Sequence, residues 1–150
     1  MNKAFIREPE SDAQAYCPRC GSLGTPVGAA AMDTHIRPDV RRRMGDAAWF
    51  CGFARCDVAY FNTFEAVVTV GELKAPVYPK DLDAPMCACF GFTRDDVEAD
   101  AREGVPTRIR GLLAKSQSHE ARCHTLAVDG RCCMREVQRL FMKLREQAAH

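Results

Sequence analysis

Nine cysteines fall on a chain of 150 residues, and their spacing divides them into two groups. The first is Cys17-Pro-Arg-Cys20 joined by Cys51-Gly-Phe-Ala-Arg-Cys56. The second is Cys87-Ala-Cys89 followed, far downstream, by Cys123 and the adjacent pair Cys132-Cys133. Close thiol pairs whose partners lie tens of residues away oblige the fold to return the chain to one point twice. Two different spacings imply two metal centres of different kinds.

The chain has a mass of 16.7 kDa, enough for one ordinary domain or two small ones. Two half-size modules would each have a thin core, and metal binding would add folding free energy that burial alone does not supply. A formal net charge of +1 points to neither a nucleic-acid nor a strongly acidic partner. There is no apolar run of the roughly 18 residues a membrane helix needs, so no membrane insertion is expected. The start, from Met1 to Glu8, lacks the apolar stretch of a signal peptide. The expectation is therefore a cytoplasmic chain with reduced thiols, in which cysteine serves metals or redox chemistry rather than a disulfide framework.

Residues 1–15 read as a polar leader. Residues 16–75 read mostly as strands and turns, with Ala48–Cys51, Asp57–Phe61 and Ala66–Val70 rich in aromatic and β-branched residues. The arginine-rich stretch Arg37–Arg43 reads as a solvated loop or short helix, with a phosphate-binding patch as the sharper alternative. Prolines 76, 79 and 85 mark a linker, because proline restricts itself and its predecessor to extended backbone. Helical patterning follows. Thr93 is a cap with Asp95 and Asp96 in the first turn, Val97 and Ala101 form the apolar stripe, and Gly104 ends the helix. A second short helix runs from Pro106 to about Lys115. A third, from Cys133 to Gln147, places Met134, Val137, Leu140, Phe141 and Leu144 on one face. The expected class is α+β: a β-rich zinc module over 1–75, a linker over 76–86, and a helical module over 87–150.

In the first set, a Cys-x2-Cys turn shaped by Pro18 and Gly21 presents two sulfurs to one ion, and the pair Cys51/Cys56 closes a tetrahedron. This donor set reads as a structural zinc site. Iron as in rubredoxin, a thiol–disulfide pair and simple buried thiols are the alternatives. His35 lies between the pairs and is a substitute ligand on paper. In the second set, Cys-x-Cys is too tight for opposite corners of one zinc ion but suits two sulfurs gripping one iron of a [2Fe–2S] cluster. His119 and His124 raise Rieske-type ligation, which needs Cys-x-His elements that the chain lacks.

Cys87-Ala-Cys89-Phe-Gly-Phe-Thr93, a helix and then distal cysteines resemble the bacterioferritin-associated ferredoxin-like [2Fe–2S] family. Together with Cys17-Pro-Arg-Cys20, Cys56-Asp-Val-Ala-Tyr-Phe-Asn62, Gly71-Glu-Leu-Lys74 and Gly130-Arg-Cys-Cys133, they resemble more closely the amino-terminal zinc/[2Fe–2S] domains of the CopZ copper chaperones. The resemblance implies zinc on Cys17, Cys20, Cys51 and Cys56. It implies a cluster on Cys87, Cys89, Cys123 and one of Cys132 or Cys133. Cys133 is preferred because it opens the last helix, where amides favour a thiolate. The copper-delivery domain of those chaperones, with its Met-x-Cys-x-x-Cys loop, has no counterpart in this sequence.

The functional expectation is a one-electron redox protein in copper or other heavy-metal handling. Its partners would be an electron donor and a separate soft-metal-binding protein, with electron transfer or metal binding expected ahead of a metal-ion reductase activity. Arg131, Arg135 and the final helix dipole would raise the cluster potential. Three alternatives stand beside it. One is a non-enzymatic chaperone or sensor binding Cu+ or Hg2+ at the spare Cys132/Cys133 thiol, with His124 as a helper. Another is a ferredoxin-like protein of iron metabolism. The last is a two-zinc interaction platform. No Ser-His-Asp set, phosphate loop or paired carboxylates point to hydrolytic catalysis.

Overall fold

A computed structural model describes residues 14–118 and 120–148, with the backbone alone described for Cys123, His124 and Ala148. The leader expected over 1–15 lies outside the described residues except for its last two, as does the expectation for His119. The elements in chain order are β1 (Thr25–Gly28), α1 (Ala29–His35), α2 (Pro38–Arg41), β2 (Ala47–Phe50), β3 (Val58–Phe61), β4 (Val67–Thr69), α3 (Arg94–Glu103), α4 (Thr107–Ser116), α5 (Cys123–Leu126) and α6 (Met134–Ala148). The class is α+β. None of the described helices is long and apolar enough to cross a membrane.

The strands form one antiparallel meander in the order β1-β2-β3-β4. Thr25 faces Phe50, Trp49 faces Phe61, and Val58 faces Thr69. The period-2 alternation of side chains divides β2 between two cores. Ala48 and Phe50 join Met32, Ile36, Val40, Tyr60, Val68 and Val77 on one side, while Trp49 joins Val58, Phe61 and the cysteines on the other. All four residues of β3 are buried, as a central strand covered on both faces requires. The region expected to hold mostly strands and turns also contains α1. Its Ala-Ala-Ala-Met start is strongly helix-forming, but seven residues are too few to show a period.

The helical part has its own core of Phe92, Val97, Ile109, Leu112, Met134, Val137 and Phe141. Thr93 caps α3 with a reciprocal capping box to Asp96, and Gly104 terminates it at φ 83°. Helix α4 has no side-chain cap of its own. Asp100, fully buried on α3, accepts instead from the Arg108 and Ile109 amides at 3.2 and 2.9 Å and from the Arg108 guanidinium at 3.0 Å. An acidic side chain on the previous helix thus satisfies amide donors that would otherwise be orphaned.

The two parts interlock through the end of α5 and the loop that follows it. His35 at the end of α1 bonds through Nε2 to the Leu126 carbonyl at 2.6 Å, and the Tyr60 hydroxyl donates to the Val128 carbonyl. Burial holds His35 below its ordinary range, so the neutral ring donates its Nε2–H. Val128 packs on the sheet core, and Val77 of the proline-containing segment is buried there too. The Arg37–Arg43 stretch forms α2 and the turn beyond it. Arg37 pairs with Asp39, Arg41 with Asp33, and Arg43 with Glu72, so these guanidinium groups are engaged in structural ion pairs.

Candidate metal centres

The first centre begins with a tight knuckle. The Cys17 amide donates to the Ser22 carbonyl at 2.8 Å, and the Gly21 amide returns to the Cys17 carbonyl at 2.9 Å. Gly21 adopts φ 78°, a conformation that glycine enters without steric cost. Opposite, the Cys51 amide bonds to the Ala59 carbonyl at 2.8 Å as β2 ends, and a turn closed by the Cys56 amide on Phe53 (3.1 Å) brings round the last thiol. Gly24 lets the knuckle lie flat on the sheet, since a Cβ there would meet Phe61 at 2.6 Å and Trp49 at 2.7 Å.

The four sulfurs lie within 4.8 Å of one another. The cross-knuckle contacts are 3.8 Å for Cys17–Cys56 and 3.6 Å for Cys20–Cys51. A tetrahedron with Zn–S bonds of about 2.3 Å has sulfur–sulfur edges of about 3.8 Å, so the donor set fits zinc. Cys17, Cys51 and Cys56 are buried, and Cys20 is half-buried. His35 is turned to Leu126 and is not a member of this group.

The thiols differ sharply in acidity. Burial pushes Cys51 up to about 12, although the Lys80 charge opposes it. Burial also raises Cys56. Burial would raise Cys20 as well, but hydrogen bonds to Ser22 and to the neighbouring thiols outweigh it and bring Cys20 down to about 6. Sequence reasoning missed Lys80. Its Nζ lies 3.5 Å from Cys51 Sγ, and no spacing rule identifies a cation donated by a distant loop.

The second set repeats the knuckle. The Cys87 amide donates to the Phe92 carbonyl at 3.1 Å, the Gly91 amide to the Cys87 carbonyl at 2.8 Å, and Gly91 sits at φ 70°. These are the same two bonds, at the same offsets, as in the Cys17 turn. Cys87 is buried and Cys89 half-buried. The Arg122 amide donates to Cys89 Sγ at 3.3 Å, which carries the backbone next to Cys123 to this loop. The Cys123 side chain itself, and that of His124, lie outside the described residues. A hydrogen bond with Cys133, with help from the Phe90 and Cys89 amides, lowers the Cys87 thiol to about 6 against the opposing effect of burial. Cys133 immediately precedes α6 and is half-buried, whereas Cys132 is exposed.

Residues 14–74 match the CopZ-type family model described as a zinc binding domain. The X-ray structure of the Archaeoglobus fulgidus CopZ N-terminal domain superposes with a TM-score of 0.71 at 24% identity, covering 84% of this chain and 97% of that one. The chain has a CopZ-like N-terminal fold. A search of curated proteins found no match. The CopZ-type zinc binding match encloses all four cysteines of the tetrahedral group.

Proposed function

We propose that the protein is a zinc-stabilised one-electron redox protein of heavy-metal handling, with a [2Fe–2S] cluster on Cys87, Cys89, Cys123 and Cys133. The observation that supports it best is the second knuckle. It has the backbone of the zinc turn, holds Cys87 and Cys89, and has Cys133 hydrogen-bonded to Cys87. Thiolates are the donors such a cluster takes, and amide donation to sulfur of the Arg122–Cys89 kind is one of the levers that set its potential. Cys132 is the alternative fourth ligand, and its exposure favours Cys133. When bound, the cluster would supply single-electron transfer, taking an electron from an external donor protein and reducing Cu2+ to Cu+ for a separate soft-metal-binding protein. The chain's own contribution is to fix the thiolates, bury Cys87 and place Cys133 at a helix start.

Anaerobic purification followed by metal analysis tests this directly. The expected content is one zinc and two irons per chain, with visible absorbance bleached by dithionite and an electron paramagnetic resonance signal in the reduced form. Protein that is colourless and iron-free after anaerobic isolation would sink the redox reading and leave the zinc centre standing.

A second reading takes its support from exposed Cys132 beside Cys133: a non-enzymatic Cu+ or Hg2+ carrier. Anaerobic Cu+ titration of Cys132→Ser and Cys133→Ser separates the two. Stoichiometric binding lost in Cys132→Ser, with iron content unchanged, would favour the carrier.

A further inference from the structure

Lys80 lies in the proline-containing segment, seven residues before Cys87. Its ammonium donates to the Phe53 carbonyl at 2.7 Å, to the Cys56 carbonyl at 3.0 Å and to Cys51 Sγ at 3.5 Å. An ammonium has three N–H donors, and here all three reach the loop that carries the second pair of zinc ligands. The same group stands 6.0 Å from the Phe50 ring centroid. Four thiolates on one Zn2+ leave a formal charge of about −2, most of it on sulfurs that are buried, and a buried charge without a partner is costly.

The segment that delivers Lys80 is itself ordered. The Asp81 amide bonds to the Val77 carbonyl at 2.8 Å and the Ala84 amide to the Asp81 carbonyl at 3.1 Å. Val77 and Ala84 are buried. The Met86 amide then joins the Phe92 carbonyl at 2.8 Å, so these turns run without a break into the Cys87 knuckle.

We propose that Lys80 is the outer-sphere cation of the zinc centre, and that through it zinc occupancy seats the segment leading into the second cysteine set. This rests on zinc at Cys17, Cys20, Cys51 and Cys56. Lys80 is a positioning residue: it touches a ligand sulfur and the ligand loop, and it ties both to residues 81–87.

The test uses zinc-loaded full-length protein as purified, in the wild-type, Lys80→Arg and Lys80→Met forms. Zinc release to an excess of chromophoric chelator is expected to be about tenfold faster in Lys80→Met, with Lys80→Arg recovering most of the retention. In the Co2+-substituted proteins, the thiolate-to-metal charge-transfer band of Lys80→Met is expected at lower energy, because the Cys51 sulfur loses a hydrogen bond. Hydrogen exchange of the Asp81–Cys87 amides should speed up in zinc-loaded Lys80→Met, and in the wild type after zinc removal. Should Lys80→Met fail to fold, Lys80→Gln takes its place with the same expected shifts. Equal zinc release and an unmoved charge-transfer band would overturn the outer-sphere role. Faster release with unchanged amide exchange would overturn the coupling, and Lys80→Arg no better than Lys80→Met would overturn the role of charge. A wild-type protein isolated without zinc would overturn the reading of the centre, and Lys80's role with it.

Discussion

Cys51 is the ligand sealed completely from solvent, and burial pushes its thiol up to about 12. Without metal this thiol is protonated at neutral pH, so zinc must displace its proton on binding. The sign follows: lower pH restores the competing proton and weakens zinc, by about tenfold per pH unit for each proton displaced. Chelator competition between about pH 6 and 8 should show at least that slope, and a dissociation constant indifferent to pH would contradict it. At Asp100 the physics is that of unpaired backbone donors. Replacing it with alanine leaves the Arg108 and Ile109 amides at the start of α4 without their acceptor, and Ile109 is itself buried. The expected loss is about 3 kcal/mol in urea unfolding. Asp100→Asn should recover part of it by keeping one acceptor oxygen.

At the scale of elements, the zinc knuckle depends on how closely it lies against β2 and β3. Gly24→Ala forces a methyl group into Phe61 and Trp49, both of which are buried. Overpacking of this kind costs about 2 kcal/mol, and thermal unfolding should fall accordingly, with zinc lost more readily. Strands β2, β3 and β4 and helices α3, α4 and α6 were legible in the sequence because each carries its own local signature: aromatic and β-branched runs, the Thr93 cap, the Gly104 stop, and the apolar stripe from Met134 to Leu144. The gathering of Cys17, Cys20, Cys51 and Cys56 was legible from cysteine spacing. What the sequence concealed is tertiary. Helix α1 is too short for a period, and Lys80 reaches its sulfur from a segment that reads as a linker. His35 resembles a ligand by position but serves as a latch. Asp100 caps a helix other than its own. No local pattern encodes such partners.

The whole molecule rests on more than one core, and zinc supports them unequally. The chain's single tryptophan, Trp49, is buried in the same cluster as Cys17, Cys51 and Cys56 and stacks on Phe61 with ring centroids 6.2 Å apart. Stripping zinc should dissolve this cluster first, because metal binding is part of its folding free energy. Tryptophan emission should shift to the red, while the helical circular dichroism of α3, α4 and α6 largely persists, since their core contains none of the zinc ligands. Emission unchanged by complete zinc removal would show that the sheet stands without its metal. The latch of His35 and Tyr60 on residues 126 and 128 has a further consequence. The loop between Cys123 and Cys133 is pinned at its middle to the other half of the protein, so each half presents a face shaped for its mate. A backbone nick within 76–86 would yield fragments suited to complementation, each restoring the missing wall of the other.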